Sequence, residues 1–377
     1  MAVKIQEMAE AINDCVVDDI YGHNAAQFEA QAGLAGHRPA SFDVLALSGG
    51  TELGAWGAGF MAGWKAAGAA AAIPRPTFQM VTGVSAGALM ATHTFLGLDA
   101  EMDLAFKTTG DDDLFRKRYW LEWLWADALV DDRKKDETQR LFLTAGLVDE
   151  VAAQRHAGRR LFVGVLDMAQ GRFKQIDMVK LASTPDPACR YASYRAVIGG
   201  ATAVPVVMPH KKLGKLLLAD GAVHQPLAVP PPGAVSLPGS VDRRLFVIAQ
   251  QPASVPAGSY PELDTLKILG AANRTIACAS AALMESSLRL VHQIANKPHP
   301  GDGKALFETR YAGVPGAMAS CAGALGKCRS GETFCKRYME CLSKQGQAQA
   351  QTYASGAQPW PVSPWHVPGL MTCEQDP

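Results

Sequence analysis

Residues 78–91 constrain this chain more than any other stretch. The apolar run Phe78-Gln79-Met80-Val81 leads into Gly83-Val84-Ser85-Ala86-Gly87, and Ala88-Leu89-Met90-Ala91 follows. The order reads strand, tight turn, helix, and it commits the region to a βα unit of a layered α/β fold. It also meets the needs of a nucleophile elbow, in which a serine sits on a strained turn with its hydroxyl presented at a helix start. Gly83 and Gly87 fit that reading, because a Cβ at either position would meet the neighbouring strand or helix. Taken alone, Ser85 serves equally well as a helix N-cap in a Gly-rich turn. Two further segments decide for chemistry.

The first is Val44-Leu45-Ala46-Leu47-Ser48-Gly49-Gly50-Thr51-Glu52-Leu53-Gly54, a short apolar strand running into a Gly-rich turn and then into the Ala/Gly-rich stretch Ala55 to Ala72, which reads as a closely packed helix. Such a turn can aim several backbone N–H groups at one spot, which suits a phosphate or the oxyanion of acyl transfer. Gly49 and Gly50 are the candidate donors, with the Thr51 amide as a third. The second segment is Leu216-Leu217-Leu218-Ala219-Asp220-Gly221-Ala222, an apolar strand ending in a carboxylate. Asp-Gly is a common turn pair. An Asp at a strand end is also well placed to reach a hydroxyl on a neighbouring strand, and as a base Asp220 would accept the Ser85 proton directly. A carboxylate is a weak base at its reference pKa near 3.9, and burial would raise that value toward the task.

Together the three segments resemble the patatin-like phospholipase family, whose pattern is a Gly-rich oxyanion turn, a G-x-S-x-G serine and a distant D-G-G or D-G-A aspartate. Tyr194-Arg195-Ala196-Val197-Ile198-Gly199-Gly200-Ala201-Thr202-Ala203-Val204-Pro205 resembles the segment that precedes the family's aspartate. Gly158 to Val165, continuing through Gly171-Arg172-Phe173, resembles its mid-domain strand pair. The resemblance spans Phe42 to Gln251. It implies a three-layer α/β fold with a central, mostly parallel sheet flanked by helices. It further implies a lipid acyl hydrolase in which Ser85 and Asp220 form a dyad without histidine, working through an acyl-enzyme on a phospholipid or other fatty-acyl ester. Gly54, Gly83, Gly87 and Gly221 match its motif glycines, and no metal or organic cofactor is implied. Two positions depart from the pattern. Thr51 stands where a third Gly is usual, and Leu53 where a basic residue is usual. These departures motivate an alternative, a non-catalytic lipid-binding or scaffold protein with a decayed site. Within the enzyme class, thioesterase and carboxylesterase activities stay open.

A conventional triad would need a histidine near Ser85. His224, four residues after Asp220, is the serious candidate, with a loop histidine as the default reading. His210 precedes the Asp220 strand, and His93 lies two turns up the helix after Ser85, pointing away from the turn. Gly57-Ala58-Gly59-Phe60-Met61-Ala62-Gly63 mimics a dinucleotide fingerprint, but its glycines fall inside the expected helix and no acidic residue ends the next strand. Tight packing of that helix on the sheet explains the small residues better. No Gly-Lys-Ser or Gly-Lys-Thr phosphate loop is present.

Lys+Arg 36 against Asp+Glu 36 gives no excess charge for nucleic acid. No apolar run is long enough to span a bilayer, and Met1-Ala2-Val3-Lys4-Ile5-Gln6-Glu7 lacks a signal-peptide core. The expected location is cytoplasmic or membrane-peripheral, or extracytoplasmic if a leader has been removed. Trp120, Trp123 and Trp125 follow Arg116-Lys117-Arg118 within a stretch, Leu114 to Val130, that reads as helical. They suit either the core or contact with a bilayer interface. The run Asp131-Asp132-Arg133-Lys134-Lys135-Asp136-Glu137 reads as a solvated turn.

The expected organisation is an N-terminal helical arm (1–41), an acyl-hydrolase domain (42–300) and a Cys-containing extension with an irregular tail (301–377). Within it, Pro226 to Pro238 forms a surface loop, Arg244 to Ala249 the last core strand and Leu263 to Ile294 a long helix, and the chain is irregular from Gln345 onward. Of eight cysteines, Cys321, Cys328 and Cys335 recur at two-turn spacing. If they lie on one helix they cannot bond each other, and Cys341 or Cys373 would be their partners. Small buried packing residues are the competing reading. The absence of Cys-x-x-Cys argues against zinc.

Overall fold

The computed structural model describes residues 41–117, 130–205, 207–228, 241–254, 267–329 and 332–371. Among them the strands are β1 (Ser41–Leu47), β2 (Met80–Val84), β3 (Arg116–Lys117), β4 (Val130–Asp131), β5 (Arg160–Asp167), β6 (Arg172–Asp177), β7 (Lys211–Leu213), β8 (Leu216–Asp220), β9 (Asp242–Ala249) and β10 (Glu308–Gly313). The helices are α1 (Gly54–Ala66), α2 (Ala86–Leu96), α3 (Asp99–Thr108), α4 (Asp111–Leu114), α5 (Arg133–Phe142), α6 (Ala145–Ala153), α7 (Met178–Ala182), α8 (Pro187–Ala201), α9 (Lys267–Ala295), α10 (Pro315–Ser320), α11 (Ala322–Leu325) and α12 (Lys336–Ala354).

One sheet runs β10-β9-β1-β2-β5-β8-β7, with β6 also on β5. From β10 to β5 it is parallel, whereas β6, β7 and β8 join antiparallel. β1 reads as a continuous apolar run because both its faces are covered. Its side chains alternate between them. Phe42, Val44 and Ala46 join Met284, Leu288 and Val291 of α9 on one face. Leu45 and Leu47 join residues of α1, α2, α8 and α12 on the other. The result is the expected three-layer α/β architecture, a mostly parallel sheet between helices.

One detail of the topology builds the site. β6 pairs with β5 from Phe162 to Asp167. β2 and β8 therefore share the opposite edge of β5. β2 occupies it up to Val84, opposite Gly164, and β8 occupies the remainder, with Asp220 opposite Val165. The two strands meet end to end, which brings Asp220 to the turn at Ser85.

Several expectations are corrected. β10 follows β9, so Arg244–Ala249 is not the last core strand. Residues 345–354 continue α12 instead of running irregularly. β10 pairs with β9 in the main sheet, and α12 joins the core cluster on one face of it. α12 lies directly on α1, where a Cβ on Gly59 would sit 2.2 Å from the Ser343 carbonyl oxygen. The small residues of α1 thus admit another helix more than they admit the sheet. The cysteine segment is not one helix. The chain leaves α11 at Leu325 and re-enters helix at Lys336. Cys328 and Cys335 consequently approach to a Cα separation of 5.9 Å and are bonded to each other, while Cys321 is bonded to Cys341. Of the stretch Leu114 to Val130, the described ends include the β3–β4 ribbon. Trp120, Trp123 and Trp125, the arm up to residue 40, residues 229–240 of the proline-rich loop and Cys373 lie outside the described residues. No described helix is long and apolar enough to cross a membrane.

Candidate active site

Ser85 closes β2 and opens α2 with φ 53° and ψ −121°. A non-glycine residue at positive φ is strained, and such strain persists only where its surroundings impose it. Here the imposition is steric. A Cβ on Gly83 would lie 2.4 Å from the Gly87 carbonyl oxygen, and one on Gly87 would lie 2.5 Å from that of Leu47. Close approach of the turn to the strands therefore explains both motif glycines. It leaves Ser85 with its hydroxyl pointing off the sheet.

That hydroxyl donates to Asp220 Oδ2 at 2.6 Å. The other carboxylate oxygen, Oδ1, accepts from the Ala222 backbone N–H at 2.8 Å. Gly221 fits beneath this turn against the Gly164 carbonyl. Asp220 is 2% exposed. Burial pushes its pKa up to about 6, against the opposing pull of the Ser85 hydroxyl, the Ala222 amide and the charge of Lys135. The two residues that the sequence separates by 135 positions are in direct contact.

Lys135 corrects the expectation of a solvated turn at 131–137. Residues 133–142 form α5, and Lys135 faces inward, donating to the carbonyls of Thr202 at 3.0 Å and Gly199 at 3.3 Å. Burial, then the neighbouring charge of Lys211, lowers its pKa to about 8. Asp132 and Asp136 hold Lys211 in turn.

The glycine turn lies beside Ser85. Gly49 is wedged so closely that a Cβ on it would be 3.2 Å from Ser85 Cβ. Its N–H, however, donates to the Pro226 carbonyl at 2.8 Å, which removes Gly49 from the candidate oxyanion donors. Gly50 and Thr51 remain. A Cβ on Gly50 would come within 2.6 Å of the Gln250 carbonyl oxygen. Gln250, the residue after β9, fastens the turn through a backbone N–H to Ser48 Oγ at 2.8 Å and Nε2 to the Ser48 carbonyl at 2.6 Å. Thr51 has φ 49°, the left-handed conformation that a glycine adopts freely and a β-branched residue resists. Gly54 then starts α1 against Ala86 and Phe106. Leu53 brings no positive charge to the turn, and burial pushes the pKa of its neighbour Glu52 up to about 7.

Thr51, Ser85, Ala86, Lys135 and Asp220 line one end of a cavity that holds about 960 Å³ of space free of protein atoms, part of it open to solvent. Leu89, Met102, Phe106, Phe115, Phe142 and Met339 are among the apolar walls. His93 also lines it, contrary to the expectation that it points away. Positions 85, 89 and 93 share one face of α2. His224 is exposed and stacks on Phe173 with ring centroids 6.1 Å apart. Neither it nor His210 lines the cavity. Gln139, like Lys135, is a lining residue that the sequence reading missed. The spacing of Lys135, Gln139 and Phe142 on one helical face was the available signal.

A family model described as patatin-like phospholipase matches residues 45–231. No curated protein matches the chain. Among solved structures, VipD from Legionella pneumophila aligns with a TM-score of 0.35 at 11% sequence identity, over 83% of this chain and 67% of that one.

Proposed function

The chain belongs to the patatin-like phospholipase family through residues 45–231, and on that premise we propose that it is a serine acyl hydrolase of fatty-acyl esters. The observation that carries this reading is the 2.6 Å contact of Ser85 Oγ with Asp220 Oδ2 at the polar end of an apolar cavity. The carboxylate takes the serine proton as Oγ bonds to the ester carbonyl carbon, and the carbonyl π pair moves onto oxygen. The N–H groups of Gly50 and Thr51, with that of Ala86 at the start of α2, stabilise the oxyanion. When the tetrahedral centre collapses, the carbon–oxygen bond to the alcohol breaks and Asp220 returns the proton to the departing oxygen. Water then attacks the acyl-enzyme, gives a proton to Asp220, and releases the fatty acid as Oγ recovers its hydrogen. A buried carboxylate with a pKa near 6 is ionised at neutral pH and is a better base than a free aspartate. The apolar walls bury the acyl chain, which supports a lipid over a small polar ester.

Ser85→Ala should abolish hydrolysis of a short acyl nitrophenyl ester and labelling by a fluorophosphonate, with an unchanged circular dichroism spectrum. Unaltered turnover in that variant would rule out the serine mechanism. A native protein that binds lipid without reacting with the probe would instead be the scaffold. The disulfides Cys321–Cys341 and Cys328–Cys335 support an oxidising compartment. Counting free thiols in the denatured, unreduced protein tests that point.

A further inference from the structure

Two polar atoms in the cavity wall have no hydrogen-bond partner among the described residues: His93 Nδ1 and Gln139 Nε2. Their residues are 4% and 7% exposed, and both line the cavity. They belong to the same patch of wall. The His93 ring lies near the backbone carbonyl of Phe142, which follows Gln139 by three residues on α5, so the ring stands over the helix face that carries Gln139. One nitrogen of a neutral imidazole is a donor and the other an acceptor, and as the acceptor the unpartnered Nδ1 presents a lone pair. Burial lowers the imidazole pKa and favours this neutral form. The Gln139 amide nitrogen presents N–H donors. An acceptor and a donor thus face a space that is otherwise mostly apolar. Buried polar groups in native proteins are normally satisfied, and an unsatisfied pair points to a missing partner.

The location along the cavity narrows what that partner is. Ser85, Leu89 and His93 line it from successive turns of α2, and eight residues of helix span about 12 Å. The pair therefore sits well beyond the reacting carbonyl, alongside the middle of a bound chain.

We propose that His93 and Gln139 form a subsite for an oxygen function, above all a hydroxyl, in the middle of the acyl chain, so that the preferred substrates are esters of mid-chain oxygenated fatty acids. The proposal rests on the acyl-hydrolase reading and sharpens it. A hydroxyl satisfies both groups at once, since its O–H donates to Nδ1 while its oxygen accepts from Gln139 Nε2. A ketone satisfies Gln139 alone. An unsubstituted chain leaves both orphaned. The expected order of affinity is hydroxyl, then ketone, then methylene.

The test measures binding and needs no turnover. In the full-length Ser85→Ala protein, octadecanoate and a mid-chain hydroxyoctadecanoate compete against a fluorescent fatty acid. The hydroxy acid should bind roughly tenfold tighter or better, the gain expected when a buried donor and acceptor find partners. Adding Gln139→Leu or His93→Leu should erase that advantage and leave octadecanoate binding as well as before or better. Both variants remove an unpaired buried group, so thermal melts should show folded protein. Equal affinity for the two acids, no binding of either, or an advantage that survives both leucine variants would overturn the proposal. In the first of these cases the pair holds only a buried water. Absence of ester cleavage by the native protein would defeat the catalytic reading while leaving this binding order intact, so the two failures are distinguishable.

Discussion

The two ends of the cavity are finished in opposite ways. At the Ser85 end the buried side chains of Ser85, Asp220 and Lys135 are partnered: the hydroxyl on Asp220, the carboxylate on the Ala222 amide, and Lys135 on two carbonyls. The backbone there is strained. Thr51 and Ser85 are the non-glycine residues with positive φ among those described. At the His93 end the backbone is ordinary helix, yet polar atoms are left open. On the proposed function, one end holds fixed dipoles ready for charge that develops during reaction. The other holds unspent hydrogen-bonding capacity, which chemistry does not need and recognition can use.

The contrast can be broken at the glycine turn first. Gly50→Ala would drive a methyl into the Gln250 carbonyl and tilt the turn. Turnover of a nitrophenyl ester should fall by about 10²–10³, the cost of losing an oxyanion donor, with KM nearly unchanged. An equal loss of fatty-acid affinity would mean that the turn supports the whole cavity and not only its reactive end.

A smaller effect should appear in the pH profile. Asp220 must be ionised to accept a proton, so kcat/KM should rise with pH through a midpoint near 6. The Lys135 charge favours the ionised form, so Lys135→Met should move that midpoint upward and leave the alkaline plateau in place. A midpoint that stays put would show that Lys135 only fills space between α5 and the end of α8. The smallest effect concerns strain. Thr51→Gly should stabilise the fold by about 1 kcal/mol in urea titration by relieving the left-handed threonine, with activity kept. Lost activity would make the threonine itself part of the reactive end.

The contact of Ser85 with Asp220 was legible in the sequence because its requirements are local. A serine between glycines at a strand-to-helix turn, and an aspartate closing an apolar strand, each record their own backbone geometry. What was not legible depends on partners remote in the chain. Lys135 and Gln139 sit in a highly charged stretch, and their burial follows from the carbonyls at the end of α8 and from the face of α2, neither of which their neighbours reveal. The Gly49 amide looked available until the chain folded Pro226 over it. The cysteine spacing misled because its reading assumed an unbroken helix, whereas the segment leaves helix between Leu325 and Lys336. For the same reason β10 escaped notice. Glu308-Thr309-Arg310-Tyr311-Ala312-Gly313 is too polar to announce a strand, and it becomes one only because β9 offers it an open edge.

The contact of α1 with α12 has a consequence for biosynthesis. The glycine turn leads into α1, and the helix that seats α1 comes from a part of the chain translated after both Ser85 and Asp220. Folding on the ribosome proceeds from the N-terminal side, so a nascent chain carries every reactive group before it can hold them in register. The glycine turn gains its final seat only once the segment through Ala354 has joined the fold.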